Sequence, residues 1–205
     1  MALVFQIMTR MESLPIMKAA AALCSMLAIN AQAFANDLSN AAQYAAGIYS
    51  SIFVHEVGHA IVAKVSGAEN IEIEIPRKGT LLSGVTRWKP PANGLSAAQT
   101  QWLSLSGLLA ANLVGEAIVA NSHVHRSPYA QAVLGSALAS NAIHIFTYYT
   151  RIRGADGYQG NDIDQFELAG GNPHLLSAGL AAYSLWTLHR MRQREIPLFG
   201  VNLRF

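Results

Sequence analysis

The sequence predicts a mainly α fold: a membrane-embedded bundle of four helices, or five if an N-terminal one is retained, with a small β-hairpin after the helix that carries residues 55–59. Three observations predict it. Charged residues are only 13% of the 205 residues and hydrophobic ones 52%, against about a quarter charged in ordinary globular domains. Apolar stretches close to the length of a membrane span recur along the chain. After the first long one, the pattern switches to strict alternation at Ile71, Ile73 and Ile75.

The elements follow in order. Met17-Lys18 opens an apolar run, Ala19 to Ile29, and Ala33-Phe34-Ala35 has the small-x-small form of a cleavage site. Residues 1–35 are therefore expected to be a signal peptide or a first membrane helix, and 36–205 a separate domain. Asn36 to Asn40 is polar and rich in capping residues. Ala41 to Val65 is apolar on nearly every face, which places a helix in a core or a bilayer, with Lys64 in its last turn and Gly67 as C-cap. Glu72 and Glu74 alternate with the isoleucines to make a half-exposed strand, an edge that could also hold an extended substrate. Pro76 to Gly79 is a turn and Thr80 to Lys89 a second strand. Three more apolar stretches follow, Trp102–Ala120, Ala130–Tyr149 and the shorter His174–His189. A polar loop, Arg151 to Asn172, separates the last two.

Composition also excludes. A formal net charge of +2, with basic residues scattered apart from Arg190, Arg192, Arg194 and Arg204, gives no footprint for nucleic acid. Cys24 is the only cysteine, so an intrachain disulfide and a zinc site built from several thiolates are both ruled out. Any metal must rest on His, Asp or Glu.

Such a set exists. His55-Glu56-Val57-Gly58-His59 is an H-E-x-x-H motif inside the first long apolar helix. Residues i and i+4 share a helical face, so both imidazoles can grip one Zn²⁺, and Glu56 can take a proton from its water. Three ionisable groups in an apolar helix are costly unless paired or metal-bound. A catalytic zinc site normally has three protein ligands and one open position. Asp162 and Glu116 are the leading candidates for the third, with Asp164 and Asp156 behind them. Asp162 could instead cap a short following helix, Asp156 could be a turn residue, and Glu116 could face the bundle interior.

Phe53 to Ala60, followed by a Gly67-terminated helix and strands, resembles the site-2-type intramembrane zinc metalloproteases. Ser106-Gly107-Leu108-Leu109-Ala110-Ala111-Asn112 is similar to their small-Gly-x-x-x-x-Asn helix, and Asp162 with Gly171 and Pro173 to their later segment. The resemblance runs from about Phe53 to His189. It implies Asp162 as third zinc ligand and Glu56 as general base. The usual Asn-x-x-Pro-x-x-Asp-Gly run is missing; Asp156-Gly157 keeps only its final pair.

The expected function is zinc-dependent endopeptidase of an integral, multi-pass membrane protein, acting on protein or peptide substrates that are membrane-associated. Two other readings are a secreted or periplasmic soluble zinc peptidase using Glu116, and a non-catalytic metal-binding scaffold. Asn112, Asn141 and His144 lie in apolar stretches and are expected to bond between helices, or else to act near the metal. His123 and His125 are expected to be solvated. The partly alternating tail Leu198–Phe205 fits a short strand or a partner-binding segment.

Overall fold

The computed structural model describes residues 15–150 and 161–200, with side chains from residue 37 onward. Asp156, the side chains of the 33–35 cleavage signature and the end of the 198–205 tail lie outside the described residues. The described elements are α1 (Pro15–Val65), β1 (Glu69–Glu74), β2 (Val85–Lys89), α2 (Ala97–Ala120), α3 (Pro128–Thr150), α4 (Asp162–Leu168) and α5 (Pro173–Gln193). The chain divides into two compact units, Met1–Ala42 and Gln43–Phe205.

Residues 36–40 do not start a helix as their capping residues predicted: α1 runs through them. The C-terminal end of α1 does follow the sequence signal, for Gly67 stands at φ +87, where a side chain would be strained, and Ala68 N–H bonds back to Ala63 O. Strands β1 and β2 pair antiparallel, with Ile73 opposite Thr86 and a register shift between Glu69 and Glu72. The expected second strand is half as long as predicted. Residues 80–84 instead form a loop closed on itself, with Arg77 N–H donating to Ser83 O and the Thr80 hydroxyl bonded to Arg77 O. At its base the Lys78 backbone N–H, and then Arg87, hold the Glu74 carboxyl below its usual range.

Helix α2 opens with a capping box between Ser96 and Gln99. Its inner face joins α3 and α5 in an apolar core of Ile118, Val119, Val133, Leu134, Leu138 and Met191, to which Ile196, just past α5, adds. Asn112 and Asn141 exchange reciprocal amide hydrogen bonds across α2 and α3, and Asn141 also donates to Ser184 of α5. Asn141 is 1% exposed, so this is the interhelical bonding expected of it. Among the described residues one helix, α2, is long and apolar enough to cross a membrane.

The loop expected from Arg151 to Asn172 contains α4, a helix of 7 residues. Three contacts seat it. Ile163, fully buried, packs with Leu108, Tyr148 and Leu180, worth roughly 1.5–3 kcal/mol for such a side chain. Asn161, the N-cap, accepts the N–H groups of Ile163 and Asp164 and donates its own amide to His144 O and Thr147 Oγ1 of α3. Gln101 of α2 donates to Ala169 O at the other end.

Candidate metal centre

Helix α1 brings His55, Glu56 and His59 against α2 because two glycines let the backbones approach. A Cβ on Gly58 would lie 2.9 Å from Ala110 Cβ and closer still to Ser106 O. A Cβ on Gly107 would lie 2.7 Å from His55 Nε2 and closer still to His59 Nε2. The two imidazoles therefore rest on a bare stretch of α2 backbone. His59 Nδ1 lies 2.7 Å from Leu103 O, and since a carbonyl only accepts, Nδ1 carries a proton and Nε2 is the nitrogen left facing inward.

Asp162, at the first position of α4, meets this pair. His55 Nε2 and His59 Nε2 are 3.1 Å apart, and Asp162 Oδ2 is 3.2 Å from the first and 3.5 Å from the second. Ligands at about 2.0–2.1 Å from a tetrahedral zinc-sized ion stand roughly 3.4 Å from one another. Asp162 Oδ2 is buried and has no aligned hydrogen bond among the described residues, and His55 Nδ1 is likewise unpartnered. Buried polar atoms are normally satisfied. An oxygen left unsatisfied between imidazole nitrogens fits a cation. His55, His59 and Asp162 are the described group whose donor atoms, all within 4.8 Å of one another, could hold a metal ion.

Glu56, 6% exposed, stands beside the group and is held by β2. The Thr86 hydroxyl lies 2.7 Å from Glu56 Oε2 and 2.9 Å from Glu56 O, and Gly84 leaves room for the carboxylate, since a Cβ there would sit 2.6 Å from Glu56 Cγ. All four side chains line a cavity of about 600 Å³, walled by Ile48, Leu82, Trp88 and Ile143 among others. That volume is in the range of ligand-binding clefts. Thr86→Val keeps the shape of β2 but removes the donor that aims Glu56. A reaction that depends on Glu56 should slow about tenfold with metal content unchanged; a loss of metal instead would show that Thr86 acts on the fold of the site.

The other sequence candidates fall elsewhere. Asp164 accepts the Asn161 N–H as the third residue of the α4 capping box, which explains it without metal. Glu116 pairs with Arg190 and accepts from the Tyr183 hydroxyl at 3.0 Å, so its carboxylate serves a bond between α2 and α5. His125 is 7% exposed and not solvated as expected, whereas His123 is exposed. His144 reaches from α3 to α4, where its Nε2 lies 3.3 Å from Asp162 Oδ2, beside the candidate metal group. Sequence reading missed Thr86 and Gly84 as site residues, since each matters only through what it faces, and it had Gly107 only as part of the Ser106–Asn112 motif.

A helix-borne His-Glu-x-x-His pair, an aspartate from a separate element and a cavity beside the glutamate have the make-up of a metal-dependent hydrolase. The chain belongs to the Peptidase M50B-like family, whose sequence model matches residues 19–152. The match takes in His55, Glu56, His59 and His144 and ends before Asp162. Neither the curated proteins nor the solved structures give a match. Family membership makes the class of chemistry metallopeptidase and the class of substrate protein.

Proposed function

We propose that the chain is a zinc-dependent endopeptidase of a membrane, with His55, His59 and Asp162 as zinc ligands and Glu56 as general base. The observation that carries this reading is the convergence of the three donor atoms, 3.1–3.5 Å apart, with the buried Glu56 alongside. When bound, zinc supplies Lewis acidity for the water and for the scissile carbonyl. Glu56 takes the proton of the attacking water and passes it to the leaving amine. Thr86 orients Glu56 for both transfers, and the apolar cavity walls hold the peptide and exclude bulk water. The test is zinc per chain in detergent-purified protein. Wild type should carry one, Asp162→Ala should lose it and Glu116→Ala should keep it; loss in Glu116→Ala alone would move the site and sink the reading.

The membrane part rests on the outer surface. Phe53 and Ile61 of α1, Leu109 and Leu113 of α2, Phe146 of α3, and Leu185 and Trp186 of α5 are all exposed. Large apolar side chains on every long helix, in a chain with 13% charge, match a lipid-facing bundle better than a water-facing one. The protein should stay in the membrane pellet after carbonate washing. Release into the supernatant would return the soluble reading.

A further inference from the structure

We infer that residues 196–200 form an autoinhibitory strap across the cavity, with the Phe199 side chain seated where an aromatic side chain of the substrate binds. The inference rests on the peptidase reading of that cavity and adds a subsite to it. Three observations carry it. The first is the shape of the cavity. One wall is α1, with Ile48 and Ile52, and another is α3, with Ser136 and Ile143; Phe199 belongs to the lining too. Along α3 the wall runs roughly 12 Å from Ser136 to His144, which stands beside the metal group. Phe199 meets α3 at Gly135, so it closes the end of the cleft away from the metal group.

The second is the fit at that end. The Phe199 ring lies on the bare backbone of Gly135, where a Cβ would come within 2.8 Å of ring atoms Cε2 and Cζ. The next residue, Gly200, lies on α1, where a Cβ would sit 2.7 Å from the Tyr44 hydroxyl oxygen. The strap thus reaches from α3 to α1. The third is how it is held. Ile196 is 1% exposed and Leu198 packs on the same core, so these two anchor it. Phe199 is 40% exposed and stands at φ +49, a backbone angle that a bulky residue rarely adopts. A strap with a buried base and a strained, half-exposed tip can release the tip while the base stays.

The tether makes this an inhibitor. A side chain on a short linker competes at an effective concentration in the millimolar range, so a free peptide meets a subsite already filled. Its apparent affinity is reduced to the fraction of molecules in which the subsite is open. The ~12 Å between this end of the cleft and the metal group equals about three or four residues of extended chain. The cleft accordingly selects an apolar peptide with an aromatic side chain at that remove from the bond cleaved, and Phe199 holds the place until one arrives.

The test follows the fluorescence anisotropy of a fluorescein-labelled peptide, with the sequence of residues 196–200, titrated with full-length protein in detergent. Phe199→Ala should bind it about tenfold more tightly than wild type. Adding Gly135→Ala to that variant should cancel the gain, because the new methyl fills the place of the ring. The KM for a fluorogenic peptide library should fall in Phe199→Ala by a similar factor. Equal binding by wild type and Phe199→Ala overturns the inference, and so does a gain that survives Gly135→Ala. A gain that Gly135→Ala cancels, in a protein that cleaves no peptide, upholds the strap and removes the peptidase reading alone.

Discussion

Glu56→Gln should abolish peptide hydrolysis, by about a thousandfold, while the metal stays bound. The substitution changes one atom and no shape. The glutamine Oε1 can still accept from Thr86, and the pocket left by Gly84 still fits the side chain. What is lost is the ability to take a proton from water at neutral pH and return it to the amine. The ligand atoms of His55, His59 and Asp162 are untouched, so zinc content should remain at the wild-type value. The measurement is a pair: cleavage of a fluorogenic peptide library, and metal per chain on the same preparation. Cleavage at the wild-type rate would remove Glu56 from the mechanism. Loss of metal together with activity would mean that the carboxylate supports the centre instead of acting on water.

How much of this was legible in the sequence depends on the range of the interactions. The α1 end and the β1 alternation are local, and local patterns predict them; the α2 capping box, also local, lies ahead of the Trp102 start that apolar character alone marked. The start of β2 was misplaced because Thr80, Leu81 and Leu82 have strand-forming side chains, while the loop is closed by Arg77 and Ser83 and must pass Glu56 at Gly84. Helix α4 is too short for a period to register, and only its Asn161 cap marks it. The Asn112–Asn141 pair was expected as a type of contact, since amides in apolar helices need partners. His144 obeys the same rule yet turns to Asp162, and a stretch apolar on all faces cannot say which face looks at the metal. The role of Glu116 is fixed by Arg190 and Tyr183, over 60 positions away in the chain. Pairings of that range are invisible to any window.

Gly107→Ala should empty the metal centre, weakening metal binding about a hundredfold, and should do so without unfolding the protein. In the interior of α2, alanine is the better helix former by about 1 kcal/mol, so a loss of metal cannot be laid to a weakened helix. The cause would be space. The new Cβ is fixed to the backbone and cannot rotate away from His55 Nε2 at 2.7 Å and Cδ2 at 2.8 Å, or from the still closer His59 Nε2. The imidazoles have nowhere to retreat. His59 is bonded through Nδ1 to Leu103 O of the very helix that carries the substitution. Nor can α1 and α2 slide apart cheaply, because Gly58 packs its own backbone on Ser106 and Ala110. A small-residue contact of this kind fails abruptly when either side gains a methyl. Gly179→Ala is the matched control: it lies in α5 and a Cβ there meets nothing within 4 Å. If both variants fold and only Gly107→Ala loses metal, the position of the ion is set on the α2 surface between the two histidines. If Gly107→Ala binds metal as wild type does, the ion lies elsewhere and the His55–His59–Asp162 assignment fails with it.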